Sequence, residues 1–169
     1  TNDNIVSAKY IGSQTLSEQL PGDSNEEGSV VSTSGEIPAY DIEVISLASP
    51  QVNLGKYLSM EESGLKPGDY SFDVNVHDLG YEFQFTINEN DTNHEIQQRL
   101  SRLINNSKIG LNASVEEEEG TSALRIESTR VGIDFGQSSR IFSISESSGG
   151  RTSGAVDHLG INYVARDAS

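Results

Sequence analysis

The stretch YSFDVNVHDLGYEFQFTI, Tyr70 to Ile87, decides the class of the fold. Tyr70, Phe72, Val74 and Val76 alternate with Ser71, Asp73 and Asn75. After the connection His77-Asp78-Leu79-Gly80, the apolar residues Tyr81, Phe83, Phe85 and Ile87 alternate again with polar ones. A period of two places each apolar set on one face of an extended strand. Two such runs joined by a short connection predict an antiparallel hairpin with one aromatic side and one polar side. The turn residues Lys66-Pro67-Gly68-Asp69 mark where it begins.

Immediately downstream the period changes to that of a helix. Ile96, Leu100, Leu103 and Ile104 stand at i, i+4, i+7 and i+8 and form one apolar stripe. Thr92, with Glu95 three residues on, has the pattern of a capping box. The spacing predicts a helix over about 92–106 that stops near Asn105-Asn106, two poor helix formers. A helix of about 14 residues is marginal in water by itself, so its stripe must lie on a sheet.

Outward from this centre, further alternation predicts more strands. Tyr40, Ile42 and Val44 alternate with Asp41, Glu43 and Ile45 and lead into Leu47. Ile109, Leu111, Ala113 and Val115 form a strand, Glu116 to Glu119 with Gly120 a solvated hairpin tip, and Leu124, Ile126 and Ser128 the returning strand. A last pair is expected between Ile141–Ile144 and Gly160–Val164 across the Ser/Gly loop from Ser147 to Gly154. Residues 1–36 read as an extended arm rich in Ser, Gly and Glu, with a short alternating piece, Ile5 to Ile11, of the kind that pairs at a sheet edge. Residues 37–169 are the folded body. The expected class is α+β: mostly antiparallel hairpins with one main amphipathic helix packed on a sheet.

Composition narrows the function classes. The 169 residues carry 26 Asp+Glu against 11 Lys+Arg, a net charge of −15. Nucleic acid and anionic membrane are poor partners for such a field, because phosphate binding needs clustered cations. No apolar run approaches the roughly 20 residues of a membrane span. With no cysteine, thiolate nucleophiles, disulfides and cysteine zinc sites are excluded together. The chain opens on Thr1 without a Met and reads as a piece of something longer.

Candidate chemistry is sparse. His77, His94 and His158 each neighbour a carboxylate in sequence. Adjacent positions do not face one another on a helix or strand, so the three read as solvated polar residues at a hairpin turn, a helix start and a loop. A calcium loop counted from Asn88 would need Gly at its sixth place and Glu at its twelfth, where Asn93 and Arg99 stand. Asn88 to Asn93 therefore reads as a turn and helix cap. The Gly/Ser stretches lack the spacing of a nucleophile elbow or a phosphate loop. The chain is expected not to be an enzyme and to need no cofactor or metal.

Two stretches, read together, resemble a known family. The run Leu103-Ile104-Asn105-Asn106, then Gly110-Leu111-Asn112-Ala113-Ser114-Val115, then Leu124-Arg125-Ile126-Glu127-Ser128 and Gly132, resembles the flagellin hook IN motif. Upstream, Tyr40-Asp41-Ile42-Glu43-Val44-Ile45-Ser46-Leu47-Ala48-Ser49-Pro50-Gln51 is similar to a stretch of the flagellar filament cap proteins (hook-associated protein 2). Tyr163 to Ala168 resembles that family's Ala-x-Asp-Ala segment. The motif positions are Tyr40, Val44, Leu47, Ala48, Gln51, Ile104, Asn105, Gly110, Ala113, Leu124, Ser128 and Gly132. The family's terminal helical heptads, which drive its oligomerisation, are missing.

The resemblance implies a structural part of the bacterial flagellum. Such a part would be the outer, plate or head region of a secreted cap at the extracellular filament tip, where flagellin is assembled for motility. Its implied partners are flagellin subunits and other cap subunits. The whole protein would be a homo-oligomer, and this piece, without the heptads, a monomer or weak oligomer. Three other expectations stand beside it: a hook–filament junction protein, a flagellin variable domain, or an adhesin-type β module binding host glycans or mucin.

Overall fold

The structure, a computed structural model, describes residues 47–132 and 139–169. The arm over residues 1–36 and the strand expected from Tyr40, save its last residue Leu47, lie outside the described residues.

The described elements run β1 (Val52–Leu54), β2 (Leu58–Ser59), β3 (Gly68–Val76), β4 (Leu79–Ile87), α1 (Asn93–Ser107), β5 (Leu111–Glu118), β6 (Thr121–Ser128), β7 (Phe142–Glu146), α2 (Ala155–Leu159) and β8 (Val164–Arg166). The fold is α+β, with two antiparallel sheets and the main helix packed against them. One sheet orders its strands β4-β3-β7. In the other, β6 pairs β5 along one side and β2 and β1 along the other, and β8 continues beyond β1.

The β3–β4 hairpin forms as its alternation requires, in unbroken register from Gly68–Ile87 to Val76–Leu79. The connection is shorter than the four residues expected: His77-Asp78 alone make the turn, and Leu79 and Gly80 already belong to β4. On the core side, Phe72 and Phe83 stack at 5.4 Å between ring centroids, and Phe85 meets Phe72 edge-on at 6.0 Å. Offset and edge-on pairs of this kind add about 0.5–1.5 kcal/mol each beyond the area they bury.

The helix follows its capping box. The Thr92 hydroxyl accepts from the Glu95 amide at 3.2 Å, and the Glu95 carboxylate accepts from the Thr92 amide at 2.9 Å. Ile96, Leu100 and Ile104 are completely buried, in one cluster with Phe72, Leu124 and Ile126. The stripe thus joins the two sheets in a single core.

Three expectations are corrected. Glu116, Glu117 and Glu118 are strand residues of β5, and only Glu119-Gly120 turn. Both turn residues have positive φ, 47° and 79°, the conformation of a two-residue hairpin whose twist suits the flanking strands. Next, β7 pairs β3, not Gly160–Val164. Phe142 and Ile144 alternate onto the face already lined by Val74 and Val76 and extend it, which a hairpin with Gly160–Val164 would not do. The chain after the Ser/Gly loop instead forms α2, bounded by Gly154 and Gly160, with Val156, Leu159 and Ile161 inside the core. β8 then pairs β1, a strand of three residues too short to show a period.

Leu100 touches no solvent, so Leu100→Asp should abolish the cooperative thermal transition, since a buried carboxylate finds no partner there. The milder Leu100→Ala should cost about 2–5 kcal/mol in urea unfolding. A wild-type melting curve for the Asp variant would mean that the stripe is not the centre of the core.

Candidate functional site

Most of the described motif residues fall into two polar clasps. The first closes the exit of α1. Ile104 is sunk in the core while its neighbour Asn105 turns toward β5. The Asn105 Nδ2 donates to the Ala113 carbonyl at 2.8 Å, and its Oδ1 accepts from the Ala113 amide at 2.7 Å. One side-chain amide thereby satisfies both outward main-chain groups of an edge-strand residue, as a further strand would. Ser101 Oγ also donates to the Ala113 carbonyl, at 2.8 Å. The reversal between helix and strand uses Lys108 in the left-handed region and Gly110 at φ 87°, and the Gly110 carbonyl accepts from the Thr129 amide at 2.9 Å. Leu124, on the strand opposite, is fully buried.

The second clasp gathers residues far apart in sequence. Gln51 is 0% exposed. Its main chain exchanges bonds with Ser128, the Gln51 amide donating to the Ser128 hydroxyl and the Ser128 amide to the Gln51 carbonyl, both at 3.0 Å. Its side chain reaches the other sheet: Oε1 accepts from the Ile141 and Phe142 amides at 2.6 and 3.0 Å, and Nε2 donates to the Phe142 carbonyl at 2.8 Å. Gln51 therefore bridges β6 to the start of β7. Beside it, Gly132 at φ 74° donates to the Ser49 carbonyl at 3.1 Å, close enough that a Cβ would crowd that of Ala48. Leu47 is 54% exposed and Ala48 is also at the surface. Tyr40 and Val44 lie outside the described residues.

A third polar junction involves none of the motif positions. Asn93 Nδ2 donates to the Ser59 carbonyl at 3.0 Å, and its Oδ1 lies 2.8 Å from His158 Nε2. The Asn93 amide donates to the Glu62 carbonyl at 2.7 Å. One turn on, Gln97 Nε2 donates to the Ser122 carbonyl at 2.8 Å. The signal was present as two amides, Asn93 and Gln97, four residues apart on the flank of the apolar stripe.

The histidines are accordingly not all solvated. His77 does hold the hairpin turn, with φ 53°. The His94 side chain is 18% exposed, 2.7 Å from Gln98 Nε2 and 3.5 Å from Glu117. His158 lies on α2, not in a loop, and burial together with nearby Lys56 pulls its pKa below the ordinary imidazole value. Packing of α2 on β3 and β7 brings the ring against Asn93 at the start of α1, which sequence adjacency to Asp157 could not reveal.

Among the described residues no group of three or more His, Asp or Glu is placed to hold a metal ion. The charged residues act as surface ties. Arg99 grips Asp91 with both terminal nitrogens, at 2.7 and 3.0 Å, and holds that carboxyl below its usual pKa. Arg125 pairs with Glu127 and Glu116, and Glu116 also accepts from the Tyr57 hydroxyl, which raises the phenol pKa. Asn88 to Asn93 form the expected turn and cap, with Asp91 accepting from the Asn88 amide at 2.7 Å.

No family model matches the chain, and neither do curated proteins or solved structures.

Two expectations follow. Asn105→Ala leaves the Ala113 amide without its acceptor and the Ala113 carbonyl with Ser101 alone, and should cost about 1–3 kcal/mol. Asn105→Asp keeps the acceptor and loses the donor, so it should fall between wild type and Ala at neutral pH in the same urea titration. His158 takes up its proton more readily when unfolded than when folded, so stability should be constant above the ordinary imidazole pKa of about 6.5 and decline as pH falls below it. His158→Gln should flatten that limb of the melting temperature against pH, and an unchanged slope would place the titration elsewhere.

Proposed function

We propose that the chain is a piece of the outer, plate or head region of a flagellar filament cap: an extracellular scaffold that meets flagellin and other cap subunits at the filament tip. The reading rests on the hook IN motif and the Gln51 segment of the sequence. One structural observation supports it. Gln51 and Ser128 stand 77 positions apart and bind each other directly, and Gly132 joins them through Ser49. Residues of the upstream stretch and of the IN motif thus share one clasp, as parts of a single structural unit would.

The same geometry favours a role in contact rather than in chemistry. The polar motif side chains spend their hydrogen bonds on backbone groups of their own fold, which leaves them no free reactive atom. A scaffold that must keep its shape on a polymer end needs sheets locked in register, and the two clasps do that.

Antibody raised against residues 47–169 should place immunogold at one end of each flagellar filament on cells of the source organism. Label along the whole filament would indicate a flagellin outer domain, and label where hook meets filament a junction protein. Label absent from flagella altogether, with saturable binding to a mucin-glycan array, would replace the cap reading by the adhesin one.

A further inference from the structure

The chain between β2 and β3, Met60 to Pro67, crosses the surface as a strap, with Glu61, Glu62, Ser63 and Gly64 exposed. Its ends are tied down. The Met60 amide donates to the Gly120 carbonyl at 3.1 Å, Leu65 rests against the core, and the Lys66 carbonyl accepts from the Tyr70 hydroxyl at 2.9 Å. Its middle hangs on Asn93 and His158. The Asn93 amide donates to the Glu62 carbonyl at 2.7 Å, and the Gly64 amide reaches Asn93 Oδ1 at 3.5 Å. Gly64 lies so close on the His158 ring that a Cβ there would overlap Cε1 and stand 2.7 and 2.8 Å from Nε2 and Nδ1. The strap therefore covers the ring edge that carries both nitrogens.

Hydrogen bonding fixes the tautomer. Asn93 Nδ2 donates to the Ser59 carbonyl, so Oδ1 is the atom that accepts from His158 Nε2. The neutral ring thus holds its proton on Nε2, and an acid proton enters at Nδ1, beneath Gly64. The surroundings do not welcome that charge. Lys56, whose Nζ sits on the Asp157 carbonyl at 2.7 Å, repels it. The carboxylates of the neighbouring elements are turned elsewhere. Glu146 of β7 accepts from the Gly154 and Asp157 amides, and Glu95 of α1 from the Thr92 amide. Asp157 on α2 itself and Glu61 and Glu62 on the strap are exposed. Among the described residues no carboxylate forms an ion pair with His158.

A charged ring favours whichever state returns it to water. The elements around it differ in what moving would cost. α2 would have to withdraw Val156 and Leu159, and α1 would have to withdraw Ile96, all of them buried. The middle of the strap would give up only exposed residues and its bonds to Asn93. We infer that His158 and Gly64 form an acid-sensitive latch: when the ring takes a second proton, residues 61–64 lift from it while both helices stay docked. The latch does not depend on the flagellar reading. It is also distinct from a general loss of stability in acid, because the strap alone opens and the core keeps its protection.

The Asn93 amide is the reporter, because at the first position of α1 its acceptor is the Glu62 carbonyl of the strap. Hydrogen exchange of the whole chain, read by NMR as protection factors, should be compared at about pH 7.5 and about pH 5.5, either side of the ordinary imidazole value. Protection of Asn93 should fall severalfold in acid while that of Leu100 and Ile104, in the middle of the core, holds. His158→Gln keeps a donor for Asn93 Oδ1 and cannot titrate, so its Asn93 protection should stay level. Lys56→Met keeps the apolar stem and removes the repulsion, so the fall should shrink. A wild-type Asn93 equally protected at both pH values, an undiminished fall in His158→Gln, or a fall that Leu100 and Ile104 share would each overturn the inference.

Discussion

The structure depends on the burial of one stripe. Ile96, Leu100 and Ile104 have no contact with solvent, and they lie where the aromatic side of β3–β4 meets the aliphatic side of β5–β6. Neither hairpin can be stable in isolation, since a two-stranded ribbon leaves its apolar face wet. The helix supplies the second layer for both. It in turn gains more from that contact than from its own propensity, because a helix of this length is marginal alone. The capping box at Thr92 matters within this scheme as a fixed starting point: it sets which residues of the next three turns face inward.

Burial of that stripe forces a second problem, the polar groups drawn in with it. Gln51, Asn53, Asn93, Gln97, Ser122 and Ser128 are all buried. Gln51 answers four hydrogen-bonding positions on the β7 side and β1, and Gln97 is matched to Ser122 through both ends of its amide. A buried amide left unpaired costs about 1–3 kcal/mol, so each such residue rejects arrangements that misalign its partners. Apolar contact brings the layers together, and the amides select the register in which they meet.

The parts legible in the sequence were those governed by local periodicity. Tyr70–Ile87 shows its period of two and Thr92–Ile104 its period near 3.6, and both elements form where that pattern places them. What was not legible depends on distant partners. β1 has three residues, and its strand character comes from lying between β6 and β8. Phe142-Ser143-Ile144 reads equally well as one half of a hairpin with Gly160–Val164, and only the vacancy beside β3 decides otherwise. The motif positions were legible as a list of residues. That Gln51 spans to Ile141 and Phe142, 90 and 91 positions away, had no local signature.

Asn105 shows how a single motif residue can have a topological effect. By satisfying the amide and carbonyl of Ala113, it occupies the place that a neighbouring strand would take and ends the β5 side of its sheet. The residue after a buried isoleucine at a helix exit is well placed for this, because Ile104 fixes the rotation of the last turn and so aims the next side chain at the strand. No comparable residue follows β4, whose helix begins with Thr92 directed to its own amides. Arg99 reaches back from the second turn, but it closes only Thr86. Among the described residues the outward main chain of Gly80, Glu82 and Gln84 therefore has no such partner, and the difference follows from which end of α1 each strand adjoins.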